Sequence, residues 1–244
     1  MPDVAGEKST KMRVLVIDIG GSHTKLAIGE SDERAEIDST EGMSPQSLFP
    51  RIRAATDHWE YEVVSIGYPG RVGPDGPTKE PGNLGNGWVG FNFEAALGKS
   101  VRVVNDAVLQ ALGAYHDGRM LFLGLGTGLG SALVSERVVV PLELGELPYE
   151  GGQTLFEILG QDGFERLGES VWQQFVREVT VALREVFLAD YVVLGGGRAS
   201  LVDPLPPHTR RGSNDDAIKG GTRLWREMVE PHDRRPSPFW RVVV

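Results

Sequence analysis

Along this chain the apolar positions gather into short β-branched runs that end on glycine, and these runs alternate with stretches of helical spacing. RVLVIDIG (13–20) predicts a buried strand entering a tight Gly-Gly turn. TKLAIGE (24–30) and RAEIDST (34–40) follow at hairpin spacing and predict an antiparallel meander. SPQSLFPRIRAATDHW (44–59) predicts a helix with a serine cap, which Pro50 would shorten or kink. VVSIGYPG (63–70) reads as another buried strand, 71–92 as a glycine- and proline-rich loop, and VRVV (101–104) as a strand leading into a helix over 106–117.

The second half opens in the same way. MLFLGLGTGLG (120–130) predicts a strand entering a glycine loop, and SALVSERVVVPL (131–142) a hairpin. Helices are expected around 154–168 and 170–188, the second with an apolar stripe of Val171, Phe175, Val179 and Val186. YVVLGGG (191–197) predicts a strand ending in a glycine turn that opens toward a helix, and DDAIKGGTRLWREMV (215–229) a late helix. A strand–glycine turn–strand unit thus occurs twice, near 13–30 and 120–140, in a mixed α/β chain. Residues 1–11 read as a loose tail, and 230–244 suggest no role.

Composition narrows the classes. The net charge is −9 and the basic residues are scattered until the C-terminus, so nucleic acid is not an expected partner. Cysteine is absent, which removes disulfides, thiolate zinc sites and thiol nucleophiles. The polar start MPDVAGEKSTK lacks a signal-peptide core, and no apolar run approaches the ~18 residues of a membrane helix. The expectation is a soluble cytoplasmic protein with no membrane partner. Much of the glycine is clustered behind apolar runs, which suggests backbone approaching a ligand.

Two arrangements carry candidate chemistry. Asp18 ends a strand before Gly20-Gly21-Ser22, with Thr24 and Lys25 close behind. The N–H groups of such a turn can cradle phosphate oxygens, Asp18 would hold a hydrated Mg2+, and Lys25 would supply a compensating charge. Gly126-Thr127-Gly128-Leu129-Gly130 offers the same backbone chemistry, and Gly195-Gly196-Gly197 a third turn. None is a Walker A or Rossmann motif, and each alone also fits a plain tight hairpin. Together they suit a nucleotide held between two halves. The second arrangement is Asn105-Asp106 between a strand and a helix. Both residue types cap helices, whereas the carboxyl ends of strands are also where α/β proteins bind ligands; cap and catalyst both remain open for Asp106.

DIGGSHTK, GYPGRV, NLGNGW, NDAVLQALG, GLGTGLGSAL, ELGE and VLGGG occur in the order found in the ROK family of sugar kinases, and the chain resembles the family's polyphosphate/ATP glucokinase branch from about residue 12 to about residue 225. The resemblance implies the actin-like ATPase fold, with two ribonuclease-H-like domains around a central cleft: residues 12–105, residues 106–214, and a C-terminal helix at about 215–230 returning to the first. It implies Asp106 as general base beside Asn105. Asn83, Asn92, Asn105, Glu143, Glu146 and Glu157 are implied as sugar contacts together with Asp106. The three glycine turns become the phosphate and nucleotide site. Mg2+ and a donor, ATP or polyphosphate, are implied as cofactors, a hexose as partner, and a homodimer as the assembly considered. The family's Cys-rich zinc motif is missing, as in the glucokinase branch, so no zinc is expected.

One departure concerns the sugar. The family's Glu-Leu/Ile-Gly-His reads Glu143-Leu144-Gly145-Glu146 here. An ionised glutamate cannot donate a hydrogen bond where the histidine ring would, so Glu146 is expected to lie in the sugar pocket and alter its preferences. The leading expectation is a hexose 6-kinase, with glucose as the best substrate. A non-catalytic sugar or nucleotide sensor on the same scaffold is the alternative that Glu146 suggests and that Asp18, Asn105 and Asp106 oppose. A repressor of the same family is disfavoured, because about a dozen residues before the first strand are too few for a helix-turn-helix.

Overall fold

Strand β1 (Val14–Ile19) is apolar on both faces. Leu15, Ile17 and Ile19 enter one hydrophobic layer while Val14 and Val16 enter another, because successive strand side chains alternate. Strand β8 (Met120–Leu125) repeats the device, with Met120 and Phe122 on one side and Leu121, Leu123 and Leu125 on the other. A strand buried on both faces belongs inside a sheet covered by helices on each side. The computed structural model, which describes residues 12–29, 31–82, 84–136, 138–213, 215–226 and 240–241, puts both strands there.

In the first sheet β1 pairs antiparallel with β2 (His23–Ile28), and β2 with β3 (Arg34–Asp38). On its other edge β1 pairs parallel with β4 (Val63–Tyr68). A small hairpin, β5 (Val72–Gly73) and β6 (Gly76–Pro77), lies within the stretch expected to be loop. Then β7 (Ser100–Asn105) pairs parallel with β4, giving the order β3-β2-β1-β4-β7. The second sheet has the order β12-β11-β8-β9-β10-β13, formed by β8, β9 (Leu129–Ser135), β10 (Val138–Leu142), β11 (Tyr191–Gly195), β12 (Thr209–Arg211) and β13 (Trp240–Arg241). Its first five strands repeat the first sheet's plan: a three-stranded meander, then two parallel strands on the far side of the first.

The helices fill the layers between and outside the sheets. Helix α1 (Pro45–Ala55) and the short α2 (Phe93–Leu97) cover the outer face of the first sheet. Helices α3 (Asp106–Ala114) and α7 (Asp216–Arg226) share a core with the inner faces of both sheets. Helices α4 (Leu155–Leu159), α5 (Gln161–Leu167) and α6 (Glu169–Val186) cover the outer face of the second. Among the described residues no helix is long and apolar enough to cross a membrane.

The structure departs from several expectations. Helix α1 runs through Pro50 and stops at Ala55, short of the expected 59. The helix expected at 154–168 is two helices, broken at Gly160. Gly197 is followed by a single 3-10 turn, Ala199–Leu201, in place of the expected helix. The buried stripe of α6 is Trp172, Val176, Val179, Thr180 and Leu183, while Val171 and Val186 are 44% and 73% exposed. The helix is apolar at two neighbouring phases, and Trp172 decides the rotation: it is wholly buried and its Nε1 donates to the Leu159 carbonyl at 3.1 Å. The expected tail at 1–11 and the end of the late helix at 227–229 lie outside the described residues.

Helices α3 and α7 cross with their backbones nearly touching. A Cβ on Gly220 would sit 1.8 Å from the Leu109 carbonyl oxygen, and one on Gly113 1.8 Å from that of Asp216. Polar bonds lock α7 onto the first sheet. The Ser65 hydroxyl on β4 donates to the Gly221 carbonyl at 2.6 Å and accepts from Trp225 Nε1 at 2.9 Å. Overpacking such a crossing costs about 1–3 kcal/mol or more. Gly220→Val is therefore expected to lower the urea midpoint clearly, whereas Gly82→Ala, where a Cβ would meet nothing within 4 Å, should leave it unchanged.

Candidate active site

The junction of β7 and α3 is built by Asn105. Its Oδ1 accepts from the N–H groups of Ala107 (2.9 Å) and Val108 (3.3 Å), so Asn105 is the helix cap. Its Nδ2 donates to the Gly70 carbonyl at 3.1 Å and ties in the loop after β4. Asp106 is the first residue of the helix, and its Oδ1 accepts from the Ala107 N–H at 2.8 Å. Capping belongs to Asn105, which commits its carbonyl and one amide hydrogen to position.

Asp18 comes to the same place from the middle of the first sheet. Strand register puts it opposite Lys25 on β2 and Gly67 on β4. A Cβ at Gly67 would lie 2.8 Å from Leu109 Cδ2, 3.1 Å from Asp18 Oδ1 and 3.5 Å from Asp106 Cα. Glycine at 67 is what lets Asp18 and Asp106 share the spot. Burial pushes the Asp106 carboxyl up to about 7, helped by the negative charge of Asp18 and, less, of Glu143; the N–H groups of Ala107 and Asp106 itself pull the other way. Burial pushes Asp18 to about 6, against the pull of Lys25. Both residues are partly buried. Glu143 is held by Arg71, whose Nε lies 3.5 Å from Glu143 Oε1.

Two of the three glycine turns adjoin this pair, and the third lies beside the second. In the first, the Gly20 N–H closes the turn onto the His23 carbonyl at 3.0 Å, with Gly21 and Ser22 at the tip. Thr24 departs from expectation: strand alternation turns it into the core, wholly buried, with its hydroxyl 3.2 Å from that of Ser39. Lys25 stays exposed on the opposite face. In the second turn the Gly126 N–H donates to Gly128 (3.1 Å), and the Thr127 carbonyl accepts from the Gln161 N–H at the start of α5 (3.0 Å). Gly128 is pressed against the Phe156 ring, and a Cβ on Gly130 would touch that of Ala107 at 3.0 Å, so this turn adjoins Asp106. In the third, Gly195 packs on Phe122, Gly196 takes the left-handed conformation (φ +81°) against the backbone of Leu125, and Gly197 faces open space. Parallel pairing of β8 with β11 sets the second and third turns side by side.

The expected sugar contacts are distributed differently. Asn83 lies outside the described residues. Asn92 caps α2 by accepting from the Ala95 N–H at 2.9 Å. With Asn105 it lines a groove of about 570 Å³ along the outer edge of β7, which neither Asp18, Asp106 nor Glu143 lines. Glu146 ends a 3-10 turn whose N–H donates to the Glu143 carbonyl at 3.0 Å, and its side chain is exposed with no bonded partner among the described residues. Glu157 is committed elsewhere. Its Oε2 accepts from the N–H (2.7 Å) and hydroxyl (3.0 Å) of Thr154, a capping box that starts α4. Those N–H and hydroxyl bonds hold its carboxyl below the usual range.

Sequence reasoning missed three residues. Gly67 and Arg71 stand in or beside GYPGRV, where a basic residue behind a strand-end glycine was a readable signal. Glu80, which accepts from the N–H groups of Trp88 (3.0 Å) and Val89 (3.2 Å) and so shapes the loop before Asn92, gave none.

No family model matches the chain. Polyphosphate glucokinase of Mycobacterium tuberculosis is 28% identical over 224 residues, covering 78% of this chain and 80% of the relative. That of Mycobacterium leprae is 26% identical over 231 residues, covering 82% and 68%. The chain is thus similar to polyphosphate glucokinases over most of its length. Among solved structures, the inorganic polyphosphate/ATP-glucomannokinase of Arthrobacter sp. strain KM superposes with a TM-score of 0.75 at 23% identity, over 86% of this chain and 97% of that one. The ROK family glucokinase of Streptomyces griseus, solved with glucose and AMPPNP, gives 0.67 at 16%, over 85% and 97%. The fold is therefore that of these solved sugar kinases, the actin-like ATPase fold.

The raised Asp106 carboxyl has a consequence for stability. An unfolded aspartate titrates near 3.8 and the folded one near 7, so between those values the folded state holds the extra proton and stability falls as pH rises. Asp106→Asn removes this loss. Without metal or donor, the variant should melt above wild type at pH 8, with the gap narrowing as pH falls from about 7 and gone below about 4, where Asp106 is protonated in both states.

Proposed function

We propose that this chain is a sugar kinase, a phosphotransferase with an alcohol acceptor, which moves the terminal phosphate of ATP or polyphosphate to the 6-hydroxyl of a hexose, with glucose the first substrate to test. The observation that carries the reading is the Asp106 carboxylate: placed at the start of α3, raised toward neutrality, and flanked by Asp18 and by two glycine turns. Homology to the polyphosphate glucokinases supports the substrate class. The intact acidic pair argues against a sensor without catalysis. In this reading residues 12–105 and 106–214 form the two domains, with α7 returning to the first.

Asp106 takes the proton from the attacking sugar hydroxyl, and a carboxyl titrating near 7 suits a general base at neutral pH. Asn105 fixes its direction. Lys25 and the turn N–H groups offset charge on the donor phosphates, since phosphoryl transfer is catalysed chiefly by positioning and electrostatics. Glu143, held by Arg71, is the acidic group on the sugar side; Asn83 and Glu146 complete the proposed sugar contacts, while Asn92, committed to the cap of α2, is left out of them. Mg2+ fits Asp18. The two adjacent carboxylates repel each other and Lys25 offsets only part of their charge, and among the described residues no group of three or more potential ligands forms a cage. One carboxylate with water and substrate phosphates is how proteins usually hold Mg2+. When bound, the ion would neutralise charge on the transferred phosphate.

Two outcomes follow. Asp106→Asn should lower kcat about 10²–10⁴-fold, while wild-type kcat/KM for glucose should fall as pH drops below about 7, the base being lost to protonation; an assay with glucose and either donor from pH 5.5 to 9 reads both. Asp18→Ala should cut metal-dependent turnover far more than it weakens glucose binding measured without donor, and equal losses in both would mark a folding defect.

A further inference from the structure

We propose that Arg198 is a cation of the donor site that holds a condensed-phosphate chain, either free or as the tail of a nucleotide. The inference rests on the kinase reading for its place in the reaction. Its grounds are local.

Arg198 directly follows Gly195–Gly197 and is locked at both ends between the second and third glycine turns. Its backbone N–H donates to the Leu125 carbonyl at 3.1 Å, and its Nη1 to the Gly126 carbonyl at 2.7 Å. The guanidinium lies over the Phe164 ring, 5.4 Å from its centroid. The side chain is half-buried, yet among the described residues no carboxylate lies within ion-pair distance of it. A guanidinium has five N–H donors in a planar fork, and the single bond to Gly126 leaves most of them unused. A half-buried cation without a counter-ion attracts an anion more strongly than one on the open surface, where water and salt screen it.

The space around it is open where an anion would lie. A Cβ on Gly126 or on Gly197 would meet no atom within 4 Å. The chain as a whole carries −9 and so repels a polyanion. A donor of several phosphates therefore needs a local cation on a rigid mount, and the fork of an arginine suits phosphate oxygens two at a time. Phe164 and the Gly126 carbonyl hold the fork in place before the ligand comes, which reduces the ordering cost of binding.

The test is calorimetric titration of tripolyphosphate, and separately of Mg-ATP, into wild type, Arg198→Gln and Arg198→Lys at two ionic strengths. Arg198→Gln should weaken tripolyphosphate binding about tenfold to a hundredfold, the usual worth of a charged hydrogen bond to phosphate, and should flatten its salt dependence. Arg198→Lys, which keeps the charge, should recover much of the loss, and this variant decides the matter if Arg198→Gln melts early. A loss for both donors assigns the residue to the shared phosphate tail; a loss for one assigns it to that donor. Equal affinity in wild type and Arg198→Gln, or no tripolyphosphate or ATP binding by wild type, overturns the proposal. Wild type that binds tripolyphosphate through Arg198 but never phosphorylates a sugar would sink the kinase reading and leave this one standing.

Discussion

Three hydrogen bonds through the side chain of Asn105 hold the site together. They join the end of β7 to the first turn of α3 and to the loop at Gly70. Because α3 is packed between the inner faces of both sheets, its start cannot slide without disturbing the central core. Asp106 is thereby delivered to one place, against Gly67 and beside Asp18. The near-contact of α3 with α7 fixes the other end of the same helix. The geometry of the carboxylates is thus a property of the central layer more than of any loop.

That geometry is electrostatically costly. Burial raises both Asp18 and Asp106, the charge of Asp18 raises Asp106 further, and Lys25 opposes the rise at Asp18. Paired, raised carboxyls are uncommon in purely structural settings and frequent where protons are moved. The cations nearby are mounted on backbone turns: Lys25 on the strand behind the first turn, Arg71 in the loop after β4, Arg198 behind the third turn. Lys25 acts on the charge of Asp18 and Arg71 on that of Glu143.

Much of the fold can be read from pattern because its central strands are buried on both faces. Continuous β-branched runs ended by glycine then mark strand and turn without ambiguity, and the repeat near 13–30 and 120–140 belongs to a repeat of the whole five-strand order. Pattern fails where one face has to be chosen. Helix α6 is apolar at two phases, and periodicity alone selects a stripe that shares Val179 with the buried face but otherwise runs beside the one that Trp172 buries. Thr24 sits in a promising glycine turn, but strand alternation sends it inward. Glu157 and Asn92 are polar residues beside helix starts, and capping claims their oxygens.

The sequence by itself determined the strand–turn units, the doubled α/β plan and the local pair Asn105-Asp106, since these depend on alternation, glycine turns and neighbours in the chain. It could not tell which of that pair caps the helix, nor show that Gly67 makes room for two carboxylates, nor that Arg71 meets Glu143 or Arg198 meets Gly126. Those are contacts between residues far apart in the chain, Arg198 and Gly126 being separated by 72 positions across two parallel strands. Only tertiary packing, with α3 set between two sheets, brings such residues within reach, and the burial that comes with that packing is what moves the Asp106 carboxyl toward neutrality.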